Sequence, residues 1–274
     1  YQQLLIATGA SARTLSFANV SDSKLLTLRT RTDCQTLRSS LIAGQRVALI
    51  GAGFIGLELA ASLTQRGVKV SVLETQSRIL QRAVPEAIAS LLYKEHQDQQ
   101  VDIKLNICIE KVTESPLGIA ITLSDGQQID VDRLIIGIGS SPNIALAQQM
   151  GLAIDNGIQV DEMMQTSVPN IFAAGDVCSF PHVLYGGQRI RLESWRCAQE
   201  QAEVAAKNML GHTTRYTQAP WFWSDQFDLG LQMVGLGIGA TQFAVRELGA
   251  RARLYFQLDP QGRLLSACGV APDN

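Results

Sequence analysis

The five cysteines, Cys34, Cys108, Cys178, Cys197 and Cys268, lie scattered, with no C-x-x-C and no C-x-x-x-x-C among them. That spacing argues against a metal knuckle and against a redox dithiol in this chain. It favours reduced thiols in a cytoplasmic protein. Basic residues are not in excess: 23 Lys and Arg against 25 Asp and Glu leave a net charge of −2, which gives no footing for nucleic acid. No apolar run reaches the ~18 residues that a membrane span needs. The three histidines, His96, His182 and His212, are isolated, and no Cys or His constellation surrounds them. Each reads as a surface or loop residue. Internal repeats and low-complexity tracts are missing, as are an initiator methionine and a targeting signal. The chain opens at Tyr1, just before what reads as a core strand, and stops at Asn274 after an apolar run, so it is expected to be a fragment cut at both ends. What remains is an ordinary globular composition, 46% hydrophobic and 18% charged, in a length that suits about two domains.

Against these absences stands one dense motif. Val47-Ala48-Leu49-Ile50 is an apolar run of the length of a buried parallel strand. Gly51-Ala52-Gly53-Phe54-Ile55-Gly56 then reads G-x-G-x-x-G, and the apolar-faced stretch 54–66 predicts a helix closed by Gly67. Val70-Ser71-Val72-Leu73 is a second strand, with Glu74 at its acidic end. Each part has a separate task in holding a dinucleotide. Gly51 permits the tight turn, Gly53 lets the backbone approach a pyrophosphate, and Gly56 lets helix and strand pack closely. The helix start, with Phe54 and Ile55 in its first turn, offers N–H groups and a positive dipole end to the phosphates. Glu74 is set to accept hydrogen bonds from a ribose 2′-OH. Its carboxylate would repel a 2′-phosphate, and Thr75 and Gln76 supply no arginine to welcome one, so NAD(H) is expected over NADP(H).

Further along, residues 25–38 predict a short strand and a helix capped by Thr32 or Asp33. Residues 85–97 predict a helix opened by Pro85, with Ile88, Leu91 and Leu92 on one side. Alternating apolar runs at 101–105, 119–123 and 129–131, with Asp125-Gly126 as a hairpin turn, predict an antiparallel insert before the buried run Leu134-Ile135-Ile136. The stretch Gly137-Ile138-Gly139-Ser140-Ser141-Pro142-Asn143 is a strand exit where backbone can approach a flat ligand. Ile171-Phe172-Ala173-Ala174 ends in Gly175-Asp176, a carboxylate at the kind of strand end where open α/β sheets bind ligands.

Taken in order, the fingerprint with its terminal Glu74, the 137–143 exit and Thr166-Ser167-Val168-Pro169-Asn170-Ile171-Phe172-Ala173-Ala174-Gly175-Asp176 resemble the pyridine-nucleotide disulfide oxidoreductase fold. Two further stretches narrow the resemblance: Arg191-Leu192-Glu193-Ser194-Trp195, with a helix over 198–210, and Pro220-Trp221-Phe222-Trp223-Ser224-Asp225-Gln226. These are similar to the FAD-dependent ferredoxin–NAD reductases of aromatic-ring dioxygenases. The resemblance covers essentially the whole chain. It implies an α/β protein: a Rossmann-like NAD-binding domain with an inserted β-meander, a partial FAD-binding domain and a truncated α+β C-terminal domain. The implied boundaries are 1–12 (FAD-domain remnant), 13–142 (NAD), 143–215 (second FAD segment) and 216–274.

By the same resemblance, Glu58 lies near the nicotinamide or flavin, Glu74 holds the adenosine ribose with Arg82 beside it, and Gly137 to Gly139 line the nicotinamide. Thr8 and Gly9 belong to the crossover out of the flavin domain. Asp176 holds the ribityl chain, Glu193 and Trp195 lie by the flavin ring and the ferredoxin-facing surface, and Trp223 covers the far face of the isoalloxazine. The implied cofactors are FAD and NAD, and the partners NADH and a [2Fe-2S] ferredoxin, with no nucleic acid, membrane or metal site. The family's first G-x-G-x-x-G, which holds the ADP of FAD, is absent from the chain, so the chain alone is expected to keep little flavin. Alternatives are a reductase of the same fold with rubredoxin, dioxygen, monodehydroascorbate or a disulfide as acceptor, and a non-enzymatic NAD-binding sensor. The aromatic 220–226 stretch favours an iron–sulphur acceptor.

Overall fold

The computed structural model describes residues 2–17, 20–115 and 118–272. The two ends, Tyr1 and Asn274, lie outside the described residues. Five parallel strands form the central sheet, in the spatial order Leu25–Leu26, Arg133–Ile136, Arg46–Ile50, Lys69–Leu73, Asp102–Lys104. Strand alternation divides its core in two. Val47, Leu49, Val70, Val72 and Ile135 join the helices Phe54–Gln65 and Glu86–Asp98 on one face. Ala48, Ile50, Leu73, Leu134 and Ile136 face the other way. There the antiparallel meander Ile109–Ser115, Gly118–Leu123 and Gln128–Val131 covers them with Ile119, Ile121 and Leu123. The expected Asp125-Gly126 turn closes this meander, where the Gln127 N–H donates to Asp125 Oδ1 at 2.9 Å.

One predicted cap moves. The helix Arg31–Ser40 is capped by Thr30, not by Thr32 or Asp33. The Thr30 backbone is extended, so its hydroxyl accepts from the Asp33 N–H at 3.1 Å while Asp33 Oδ2 accepts from the Thr30 N–H at 2.8 Å. Asp33 therefore completes a capping box from the third helical position. The Thr30 N–H, helped by the Arg29 N–H at 2.9 Å, holds its carboxyl below the ordinary range against the opposing effect of burial.

A second core joins distant segments. Leu4–Ile6 pairs in parallel with Ile171–Ala173, and the helix Trp195–Met209 packs behind them through Cys197, Val204 and Ala205. The third unit is an antiparallel sheet in the order Trp221–Gln226, Leu229–Gly235, Leu264–Pro272, Ala252–Leu258, Gln242–Gly249. Its Leu229, Leu231, Cys268 and Val270 share one continuous core with Leu57, Leu63, Ile88 and Leu92 of the fingerprint unit. Arg253 Nη1 adds a bond to the Ala87 carbonyl at 2.6 Å. The sheet is thereby locked onto the fingerprint unit. Its edge strand Gln242–Gly249 is exposed at every position, so it lacks the alternation that would reveal it in sequence.

Two of the three histidines are not at the surface: His96 and His182 are fully buried, and only His212 is exposed. Burial lowers the pKa of both buried rings. The thiols divide likewise. Cys34 and Cys108 are exposed, while Cys178, Cys197 and Cys268 are buried, with burial pushing Cys197 up to about 11 and Cys268 up to about 12. Thiolate, not thiol, is the nucleophile. Two thiols should therefore react with Ellman's reagent at pH 8 in the native protein, and all five cysteines in denaturant. A third fast native thiol would contradict the packing described.

Candidate functional site: a two-chamber nucleotide cleft

The fingerprint glycines serve two different neighbours. Gly51 sits at φ +100°, and a Cβ there would lie 2.5 Å from the Gly137 carbonyl oxygen. A Cβ on Gly56 would lie 2.2 Å from the Gly51 carbonyl oxygen. Both are demanded by the packing of the chain on itself. Gly53 is the N-cap of the helix Phe54–Gln65, and a Cβ there meets no protein atom within 4 Å. The space in front of Gly53 is left for something other than protein.

Glu74 is tied to this turn. Its carboxylate accepts from the Ala52 N–H at 2.7 Å and the Gln76 N–H at 2.8 Å. A cavity of about 340 Å³ opens beside it, walled by Gly51, Gly53, Glu74, Arg78 and Arg82 among others. Arg78 donates to the carbonyls of Ile79, Leu80 and Gln81 at 3.3, 3.4 and 2.9 Å. Its guanidinium thus has acceptors within the protein, which suits a ribose without a 2′-phosphate.

The first cavity adjoins a larger one of about 750 Å³, and Gly53, Arg82, Gly137 and Gly139 line both. Phe54 and Ile55 supply one wall of the larger chamber, Leu192 and Glu193 a second, Trp221 and Phe222 a third. The Phe54 and Phe222 rings pack at 4.4 Å and bind the fingerprint helix to the antiparallel sheet. Glu193 accepts from the Ser140 hydroxyl at 2.6 Å and the Arg191 guanidinium at 2.7 Å. Burial pushes the Glu193 carboxyl up, but these two donors outweigh it and hold the group below the ordinary range. Glu58 lies in a small side chamber that shares Leu28, Arg29 and Ile55 with the large one. Burial raises its pKa, the Ser224 hydroxyl at 2.6 Å opposes that, and Asp225 adds to it.

Thr8, Gly9, Asp176, Trp195 and Trp223 stand back from the chamber walls. Thr8 Oγ1 donates to the Asn143 carbonyl at 2.7 Å, and Asn143 Nδ2 returns a bond to the Thr8 carbonyl at 2.8 Å, which knots the crossover to the 137–143 exit. Asp176 is held by Arg29 at 2.6 Å, and a Cβ on Gly9 would lie 4.0 Å from the same guanidinium. Arg29, itself in the chamber wall, thus links Gly9 and Asp176 to the cleft. Trp221 touches the chamber, whereas Trp223 stacks on its outer side at 5.0 Å and Trp195 meets Trp223 edge-on at 6.4 Å. With Trp195 65% exposed, the three rings form a row from cavity wall to solvent. Arg29 carried no sequence signal: it reads as a solvated residue before a helix cap, and its partner is 147 positions away. Ser224 and Gln226 gave none either: residues 220–226 run from apolar to polar without alternation, and only the strand's burial pattern turns both inward.

Residues 1–202 match the family described as pyridine nucleotide-disulphide oxidoreductase, and residues 221–271 the one described as reductase C-terminal. The chain is 38% identical over 273 residues to the ferredoxin–NAD(+) reductase component of the anthranilate 1,2-dioxygenase system of Burkholderia cepacia, covering 98% of this chain and 66% of that protein. Among solved structures it is similar to the ferredoxin reductase for the CYP199A2 system of Rhodopseudomonas palustris (34% identity, TM-score 0.93, covering 98% and 67%). It is equally close to the covalent putidaredoxin reductase–putidaredoxin complex (36% identity, TM-score 0.93, covering 98% and 66%). The chain thus spans about two thirds of the length of these relatives. Among the described residues, no helix is long and apolar enough to cross a membrane.

Proposed function

The chain belongs to the pyridine nucleotide-disulphide oxidoreductase family, and from that premise we propose that it is the NADH-binding core of a flavoprotein reductase that passes electrons through FAD to a [2Fe-2S] ferredoxin. The observation that carries this reading is the continuity of the two chambers. Glu74 and the glycine turn suit the adenosine and pyrophosphate, and the shared strip of Gly53, Gly137 and Gly139 leads to a chamber large enough for stacked rings. When bound there, FAD supplies the chemistry, accepting a hydride and releasing electrons singly. The chain's own residues bind, orient and exclude water. Trp221 and Phe222 give an apolar wall, and Glu193, kept charged by Arg191 and Ser140, offers a fixed acceptor.

The family resemblance assigns Asp176 and Glu193 to FAD, Glu74 to NADH, and Glu58 to the neighbourhood of the nicotinamide or flavin. The division at residues 12, 142 and 215 belongs to the same reading, as does the row Trp195, Trp223, Trp221 as the ferredoxin-facing edge. A [2Fe-2S] acceptor is supported by the reductase–putidaredoxin complex, to which the chain is similar over 98% of its length. A role in an aromatic-ring dioxygenase system follows the Burkholderia relative. Five unpaired cysteines support a cytoplasmic location.

The test is anaerobic mixing of the full natural protein, loaded with FAD, with NADH. Flavin absorbance should bleach, and added [2Fe-2S] ferredoxin should be reduced far faster than rubredoxin, dioxygen or a disulfide. Bleaching without ferredoxin reduction would move the assignment to another acceptor. NADH binding with no bleaching would favour a sensor.

A further inference from the structure

Glu58, Ser224, Gln226 and His96 come from three separate elements, the fingerprint helix, the strand Trp221–Gln226 and the helix Glu86–Asp98, and form one unbroken run of hydrogen bonds. Ser224 Oγ donates to Glu58 Oε1 at 2.6 Å, Gln226 Nε2 donates to Ser224 Oγ at 3.1 Å, and His96 Nε2 lies 3.0 Å from Gln226 Oε1. Ser224 is 1% exposed, and Gln226 and His96 are 0%.

The run has a single polarity. An ionised Glu58 has no proton, so Ser224 must give it the only one it has. The Ser224 oxygen can then only accept, which turns the Gln226 amide nitrogen towards it and the amide oxygen towards His96. That oxygen cannot donate, so His96 carries its proton on Nε2. Its Nδ1 is bare, buried and without a partner, and the ring meets Phe227 edge-on at 5.0 Å. An apolar side chain would fill this space without an orphaned nitrogen, so packing alone does not account for a histidine here.

We propose that Ser224, Gln226 and His96 are positioning residues that aim the Glu58 carboxylate at the cleft and hold it ionised for NADH. The proposal rests on the reductase reading above. A proton on the second Glu58 oxygen leaves the Ser224 bond in place but makes Oε1 a weaker, neutral acceptor. The run of donors thus favours the charged carboxylate, and its polarity is fixed at the far end by the bare His96 Nδ1. Other charges bear on its ends. The exposed Asp225 acts on Glu58 through its charge alone, Arg29 shares its side chamber, and Glu95, paired with Arg251 at 2.7 Å, acts on His96.

The test follows the Glu58 carboxyl by ¹³C NMR, its resonance identified by its loss in Glu58→Gln. Ser224→Ala should raise the titration midpoint by about one pH unit, because the charged form is the stronger acceptor of the lost bond. His96→Phe should raise it by a smaller step, roughly a fifth of that, through the polarised chain, and Ser224→Thr should restore it. Long-range ¹H–¹⁵N spectra of the unsubstituted protein should show His96 as the neutral Nε2–H tautomer. NADH affinity should weaken as pH falls through the Glu58 midpoint, and that break should move with the midpoint in Ser224→Ala. An unmoved midpoint in either Ser224→Ala or His96→Phe, or a His96 proton on Nδ1, overturns the proposal. The tautomer is measured without any substitution, so a variant that fails to fold does not shelter the idea. The carboxyl titration needs no nucleotide, so absence of NADH binding in every form would instead refute the reductase reading.

Discussion

Replacing Gly56 with alanine is expected to lower NADH affinity at least ~100-fold and to destabilise the fold by about 1–3 kcal/mol, the range for overpacking a tight contact. The new Cβ would lie 2.2 Å from the Gly51 carbonyl oxygen. That oxygen is backbone and cannot rotate away as a side chain would. The glycine turn must shift, and it is held from two sides: the Gly51 N–H donates to the Leu73 carbonyl at 2.8 Å, and the Ala52 N–H to Glu74 at 2.7 Å. Displacing the turn misaims the helix N–H groups that would receive the pyrophosphate. Two charge-assisted bonds lost there account for ~3 kcal/mol, or about two orders of magnitude in affinity. Fluorescence titration with NADH and thermal unfolding measure the two effects. Gly53→Ala is the control. No protein atom lies within 4 Å of its Cβ, so stability should hold while NADH binding falls at least ~10-fold. An alanine at 56 that binds NADH normally would show that the fingerprint helix is not docked as described.

Glu74→Ala should cost about 30- to 100-fold in NADH affinity, some 2–3 kcal/mol, while NADPH affinity changes little. Two functions disappear together. The carboxylate no longer anchors the Ala52 and Gln76 N–H groups, and no acceptor remains for the ribose hydroxyls. Loss of the negative charge alone would favour the 2′-phosphate. A large gain for NADPH also needs a cation free to turn to it; Arg78 is tethered to three carbonyls, and Arg82 is the other arginine in the cavity wall. The preference for NADH should therefore shrink without reversing. Glu74→Gln keeps one acceptor and should recover part of the affinity. Paired Kd measurements for both nucleotides decide the matter. An unchanged NADH-to-NADPH ratio in Glu74→Ala would show that this carboxylate does not read the ribose.

The legible part of the site lies where function and chain order coincide. Val47 to Glu74 could be read in full because turn, helix start and acidic end are consecutive, and each requirement is met by a residue type at a fixed offset. The Asp125-Gly126 hairpin was legible for the same reason. The capping box was misplaced by two to three residues because Thr30, Thr32 and Asp33 are all competent caps, and backbone angles choose among them. His96 gave no sign of burial: it occupies the last turn of its helix, and what covers it is Gln226 at the end of a strand 130 positions later and Phe227 in the turn that follows.

The sequence by itself determined the fingerprint unit: a glycine turn ending in a carboxylate, the arrangement proposed here to hold NADH, is built from contacts within one β-α-β unit, whose geometry is local. Tertiary structure alone decided what stands opposite that nucleotide. The antiparallel sheet shares the hydrophobic core of the fingerprint unit, and this brings Phe222 to Phe54, Ser224 to Glu58 and Gln226 to His96. It likewise brings Arg29 to Asp176. Burial of apolar area is non-directional and leaves no fixed spacing in the chain. Side chains that meet across such a core are recognisable as partners only after the core has formed.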